Sequence, residues 1–347
     1  MSFSHSILKP ATGLLAALAV LANCSPTSEE PASPDPAPTE TETNTPETTE
    51  PSREARLAED IEKMREAFEV AKSTNGPGSP ALWTLSDDDT TIHIFGTVHI
   101  LKPETEWRTD TFDEAFDAAD TLVLEIAMET PEDEQAVAMT MMRASVFDDG
   151  RSLSDVLSAD ELAIVKDAAK SMGIPGASID VQEPWAVGLT LLNVQMMADG
   201  FDPTSGVESV LTKEAKDQGK AFQSLETAEF QIGVFDTMSM EAQVDMLVSG
   251  AMTTDLVDTQ LSSLIDEWAD GDVEGLGVIA ANPETAGGDE FYNALFLERN
   301  QNWVPQIEAL LDEPGTIMIA VGAGHLAGPD SVITMLENKG HTLTRTQ

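Results

Sequence analysis

Two short runs, Thr121-Leu122-Val123-Leu124-Glu125-Ile126 and Thr316-Ile317-Met318-Ile319-Ala320-Val321, constrain the fold more than any other feature of this chain. Each is apolar at consecutive rather than alternate positions, the pattern of a strand buried on both faces. Such a strand needs a layer on either side, and in α/β folds helices supply it. The rest of the sequence alternates to match. Ala81–Leu85 and Thr91–Phe95 read as strands separated by the turn-rich Ser86-Asp87-Asp88-Asp89, Ala221–Leu225 as another and Thr342–Arg345 as the last. Leu57, Ile61, Met64, Phe68 and Ala71 fall at helical spacing within Glu54–Lys72. Thr111–Asp120, Val207–Gln218, Ala228–Val248 and Asp330–Asn338 also read as helices, and Ser158-Ala159-Asp160-Glu161 opens one in capping-box style that ends at Gly173. Trp185–Ala198 is apolar nearly all round and is expected to be a buried helix. The expected fold is α/β, an α+β variant staying open. Its central sheet is mainly parallel and flanked by helices, with a helical insertion in the middle of the chain.

The ends of the sequence add a second layer of organisation. The chain has 347 residues and one cysteine, Cys24, so no disulfide framework is possible. Residues 1–24 have the layout of a secretory signal: Lys9 in a short n-region, then an apolar run from Ala11 to Ala22 that is too short for a hydrocarbon core of roughly 30 Å. The run closes on Leu21-Ala22-Asn23-Cys24, which resembles a bacterial lipobox, although Asn23 stands where Gly or Ala is usual. Acylation of Cys24 would anchor the chain, and the resemblance to bacterial lipoproteins implies, with Ser25 after the cysteine, sorting to the periplasmic face of the outer membrane. Residues 25–52 are nearly all Pro, Thr, Ser and Glu, a tether with nothing to offset ordering entropy. At about 3.1 Å per residue it reaches at most roughly 90 Å. The globular part is expected over residues 53–347. Against 18 Lys and Arg stand 62 Asp and Glu, and a formal charge of −44 repels phosphate backbones, which removes nucleic acid as a partner.

Two segments carry the candidate chemistry. Gly96-Thr97-Val98-His99-Ile100-Leu101-Lys102-Pro103 and Gly322-Ala323-Gly324-His325-Leu326-Ala327-Gly328-Pro329 share the pattern G-x-x-H-[IL]-x-x-P, and each follows an expected strand. A glycine there permits a sharp backbone exit, and the carboxyl edge of an open α/β sheet is where ligands bind. Glu125 sits inside an apolar run, and a buried carboxylate requires a partner. His99, Glu125 and His325 at neighbouring strand ends form a candidate set for a divalent metal (Mn, Co, Zn or Fe), or an acid–base group without one. His93 alternates with Ile92 and Ile94 and reads as a strand-face residue. The methionines of the helical stretches read as core filling rather than as a peptide-binding face.

Gly96-Thr97-Val98-His99, Leu122-Val123-Leu124-Glu125 and Val321-Gly322-Ala323-Gly324-His325-Leu326 resemble the motifs of the TraB/PrgY/GumN family. Pro184-Trp185, Gly206-Val207-Glu208, Leu225-Glu226-Thr227 and Glu298-Arg299-Asn300 with Trp303 extend the resemblance from about Trp83 to Arg345. The family is related to the Tiki proteases and, more distantly, to erythromycin esterases and ChaN-type haem-binding lipoproteins. The resemblance implies a metal-dependent hydrolase acting on a peptide or small molecule, with metal on His99, Glu125 and His325. Glu208 is the candidate base or a further metal ligand, and Arg299 the candidate stabiliser of an oxyanion or binder of a peptide carboxylate. Each has another reading: Arg299 as a structural ion pair with Glu125, Glu208 or Glu226, and Glu208 as a dipole-favoured acid in a helix's first turn. Glu226 equally suits a cap for the helix after it. Two further readings stay open, capture of non-covalent haem or metal without turnover, and a hydrolytic site that needs no metal.

Overall fold

The computed structural model describes residues 52–347 apart from 284 and 286. The signal, the lipobox and the tether up to residue 51 lie outside the described residues. Ser52 closes the tether by capping the helix Arg53–Ala71, its side chain accepting from the Ala55 N–H at 3.3 Å. No described helix is long and apolar enough to cross a membrane.

The strands are β1 (Leu82–Ser86), β2 (Thr90–Thr97), β3 (Thr121–Leu124), β4 (Ala221–Ser224), β5 (Gly315–Gly322) and β6 (Leu343–Arg345), in the order β4-β3-β5-β2-β1-β6. The four strands β4, β3, β5 and β2 are mutually parallel, and β1 and β6 extend the sheet antiparallel. β5 is central. Its Met318 and Ala320 point into a core with Phe95, Phe112, Phe116 and Trp268. Ile317, Ile319 and Val321 point the other way, against Trp303, Val304, Ile307 and Leu336. That two-sided burial is what the unbroken apolar run requires. His93 lies on its strand as expected, its Nδ1 3.0 Å from the Thr84 hydroxyl on β1.

The expected helical insertion forms a layer of its own. Helices Ala159–Ser171, Pro184–Ala198 and Met240–Met252 bury Val165, Val187, Leu191 and Leu247 together. The expected continuous helix over Ala228–Val248 is instead two, Ala228–Asp236 and Met240–Met252. Ser239 caps the second by accepting from the Ala242 N–H, and its own N–H donates to Glu290 at 2.6 Å. A serine there serves the backbone better as a cap than as an interior residue. The structure adds helices that apolar spacing did not reveal, among them Pro131–Ala144, Val257–Asp270 and Glu298–Leu310. Pro131–Ala144 starts from a Thr130/Asp133 capping box, and Glu298–Leu310 contains Pro305, a residue that usually breaks helices.

Gly206 shows how tightly the helical and sheet layers meet. A Cβ there would overlap the carbonyl of His99, so only glycine fits at the start of the helix Val207–Gln218. Gly250, in a helix, has open space around it. Gly206→Ala is expected to lose about 3 kcal/mol of stability in urea unfolding, at the upper end of overpacking costs. Gly250→Ala should gain up to about 1 kcal/mol. Equal effects of the two substitutions would contradict this packing.

Candidate active site

All four parallel strands deliver a polar residue just beyond their carboxyl ends. His99 follows β2, Glu125 follows β3, Glu226 follows β4, and His325 sits on the 3₁₀ turn Ala323–Leu326 after β5. The strand pairing carries the carboxylates into register, since the N–H of Glu226 donates to the Glu125 carbonyl at 2.9 Å. The motif glycines let these ends crowd together. Neither Gly96 nor Gly322 has a positive φ, so the expected sharp backbone exit is not their role. What matters is the missing side chain. A Cβ on Gly96 would stand 3.1 Å from the Ala323 Cα. One on Gly322 would lie 3.2 Å from Glu125 Oε1, 3.5 Å from His99 Nε2 and 3.6 Å from His325 Cδ2. His99, Glu125 and His325, far apart in the sequence, therefore surround one glycine.

Arg299 holds this rim. Its Nε donates to Glu226 Oε1 at 2.9 Å, and Nη2 donates to Glu226 Oε2 at 2.9 Å and Glu125 Oε2 at 2.6 Å. Nη1 reaches the Leu295 carbonyl at 3.1 Å and His325 Nε2 at 2.9 Å. Every N–H of the guanidinium is thereby spent on the protein, which is the structural ion-pair reading and leaves none for an oxyanion. Gln231 bridges the two carboxylates from the other side, and the Trp303 indole donates to Glu226 Oε1 at 2.8 Å. Burial works against ionised Glu125, but Arg299, then His325 and His99, and the Gly322 N–H hold its carboxyl far below the usual range.

His325 is held neutral, because burial first and the neighbouring guanidinium second push its pKa well below the ordinary value. Its tautomer is assigned by the network. Asn300 donates its amide to the Asp330 carbonyl at 2.8 Å, so its Oδ1 faces His325 Nδ1 at 2.7 Å and accepts the proton there. Nε2 is then an acceptor, and Arg299 fills it. His99 differs. Its Nδ1 lies 2.6 Å from Glu208 Oε1, which also accepts from the Thr97 hydroxyl, while Nε2 has no partner among the described residues. Burial alone would lower the His99 pKa, yet the Glu208 carboxylate lifts it to about 9. The second oxygen of Glu208, Oε2, is buried without a hydrogen-bond partner.

These donors do not fit a three-ligand metal centre as they stand. His325 Nε2 is taken by Arg299, Glu125 is shared among Arg299, Gln231 and Gly322, and a guanidinium supplies the charge a metal would bring. Among the described residues, no group of three His, Cys, Asp or Glu is placed to hold a metal ion. The expected metal set therefore meets as a cluster built around Arg299.

The cluster forms the floor of a cavity of about 720 Å³ whose walls are largely aliphatic. One wall comes from a π-helical turn, Asn293–Leu297, just before the helix Glu298–Leu310. It aims the Leu295 carbonyl at Arg299 and sets the Phe296 ring 5.2 Å from that of His325. Such turns occur often at functional sites, and no sequence signal marked this one. Gln231 was likewise invisible, a polar residue on an ordinary helix.

A model of the TraB/PrgY/gumN family matches residues 81–345, which include every residue of the cluster. The chain belongs to this family. Among its relatives, the uncharacterized protein YbaP of Escherichia coli K12 is 24% identical over 186 residues, covering 53% of this chain and 68% of YbaP. The YbaP of Shigella flexneri matches equally. An uncharacterized protein of Treponema pallidum is 19% identical over 271 residues, 74% of this chain and 80% of its own. No solved structure matches the chain. In this TraB/PrgY/gumN member, Arg299→Ala would strand two buried carboxylates and is expected to cost about 3–5 kcal/mol in denaturant unfolding. A cost below about 1 kcal/mol, the range of exposed ion pairs, would contradict the bracing role.

Proposed function

We propose that this TraB/PrgY/gumN protein is a hydrolase of carboxylic ester or amide bonds in which His99 is the general base. One observation carries the reading: His99 is oriented through Nδ1 by a carboxylate and presents Nε2, unpartnered, to the cavity floor. That is the arrangement by which an imidazole takes a proton from water while its partner steadies the imidazolium that forms. Glu208 is the orienting group. Glu125 Oε1, close to the same point beside Gly322, is placed to hold the attacking water. Arg299 and His325 position Glu125 and do not touch the substrate. The chemistry requires no metal, and Arg299 provides the positive charge that keeps Glu125 ionised.

We also propose a location in the cell envelope, a reading supported by residues 1–25. Cys24, the sole cysteine, is proposed as the acylated anchor, with the tether holding the domain off the periplasmic face of the outer membrane.

The pH dependence follows from the raised pKa. Free His99 carries its proton below about 9, so kcat/KM should rise with pH towards a midpoint near that value. Substrate filling the cavity strips the remaining water from the imidazolium, so the midpoint of kcat should lie lower. Glu208→Gln removes the charge that raises the pKa and should move the kcat/KM midpoint to the acid side. With soluble ester and peptide substrates, His99→Ala should lower kcat at least about 100-fold, and chelators should leave wild-type turnover unchanged. Turnover that His99→Ala leaves intact would overturn the reading. Loss on chelation, restored by Mn, Co, Zn or Fe, would replace it with the metal-dependent scheme. A stoichiometric haem spectrum with no turnover would replace it with ligand capture.

A further inference from the structure

The cavity is chemically lopsided, and that asymmetry bears on what fills it. At its floor, the hydrogen bonds of Arg299 and His325 are complete and both oxygens of Glu125 are engaged. His99 Nε2 remains for a ligand, with Glu125 Oε1, whose hydrogen bond comes from the Gly322 N–H, beside the same point. Above them one wall is Leu192, Met196, Leu261, Leu264, Leu276 and Phe296, which offer no hydrogen bonds, while Thr204, Ser209 and Thr212 line the cavity elsewhere. Leu192, Leu261 and Leu264 belong to helices, Pro184–Ala198 and Val257–Asp270, whose backbone groups are satisfied within the helix. Leu192 is 36% exposed, a large aliphatic surface left open on a cavity wall. The lining also includes Lys213, Lys216 and Glu134, charges of both signs, and so does not require a charged ligand.

We infer that the substrate is an acyl ester or amide with a long, unsubstituted aliphatic chain: the carbonyl lies at His99 and the chain along the leucine wall. This rests on the hydrolytic reading of the site and names its substrate class. A peptide fits the cavity less well. It brings an N–H and a C=O with every residue, and each such group stranded against aliphatic walls lowers affinity roughly tenfold or more. A hydrocarbon chain strands none and gains from every methylene removed from water, up to about fourfold in affinity each. The cavity volume of about 720 Å³ accommodates a chain of many carbons beside the reacting carbonyl.

The test uses the purified protein with two probes. The first is the p-nitrophenyl ester series from acetate to decanoate, with a peptide library in parallel. kcat/KM should rise at least tenfold from butyrate to octanoate, and Leu261→Asp should flatten that rise. The second probe is calorimetric binding of 2-undecanone and 2-butanone, ketones that cannot be hydrolysed. The long ketone should bind both wild type and His99→Ala, and the short one should bind neither. Binding of the long ketone without turnover of any ester would sink the hydrolytic reading while upholding the aliphatic pocket. Ester turnover independent of chain length, faster turnover of peptides, or no binding of the long ketone would overturn the inference and leave hydrolysis standing.

Discussion

The buried guanidinium of Arg299 is the interaction on which the rest of the site depends. Three of the four parallel strands present Glu125, Glu226 and His325 to one rim, and two carboxylates so close together repel each other in a medium that water does not screen. Arg299 resolves this by bonding bidentately to Glu226, singly to Glu125 and through its remaining nitrogen to His325. It stacks over Trp303 at 4.9 Å, and the His325 ring lies 4.2 Å from the same indole. A planar, five-donor cation is suited to this role in a way that a point charge such as lysine is not.

That bracing divides two histidines that the sequence presents as a matched pair. His325 is locked, neutral and saturated, so its part is to hold Arg299 in place. His99 faces Glu208 instead, keeps one nitrogen open and has its pKa raised. Identical motifs thus acquire opposite electrostatics from what lies opposite each one: a guanidinium for His325 and a carboxylate for His99. The proposed role of His99 as general base rests on that contrast, and the apolar wall near it underlies the proposed substrate class.

Much of this architecture was legible in the chain because burial leaves a mark on composition. The apolar runs of β3 and β5 required covering layers on both faces, and the strand-end glycines placed the histidines at one rim. Family motifs added Glu208, Glu226 and Arg299. What remained hidden depends on three-dimensional neighbours. Nothing in a Gly-x-x-His segment tells which partner its imidazole will meet, so the pair suggested shared metal ligation although the structure sets an arginine among them. In the sequence the motif glycines suggest turn formers, but their importance lies in the atoms that would collide with a side chain. Gln231 and the π-helical turn have no periodic signature at all.

The claim that Arg299 and Glu208 set the two imidazoles apart is tested most directly by nitrogen-detected NMR of the histidines across pH 5 to 10. His325 should stay neutral throughout, protonated on Nδ1 alone, while His99 should titrate with a midpoint near 9. A His325 that titrates near the ordinary imidazole value, or exchanges between tautomers, would contradict the account.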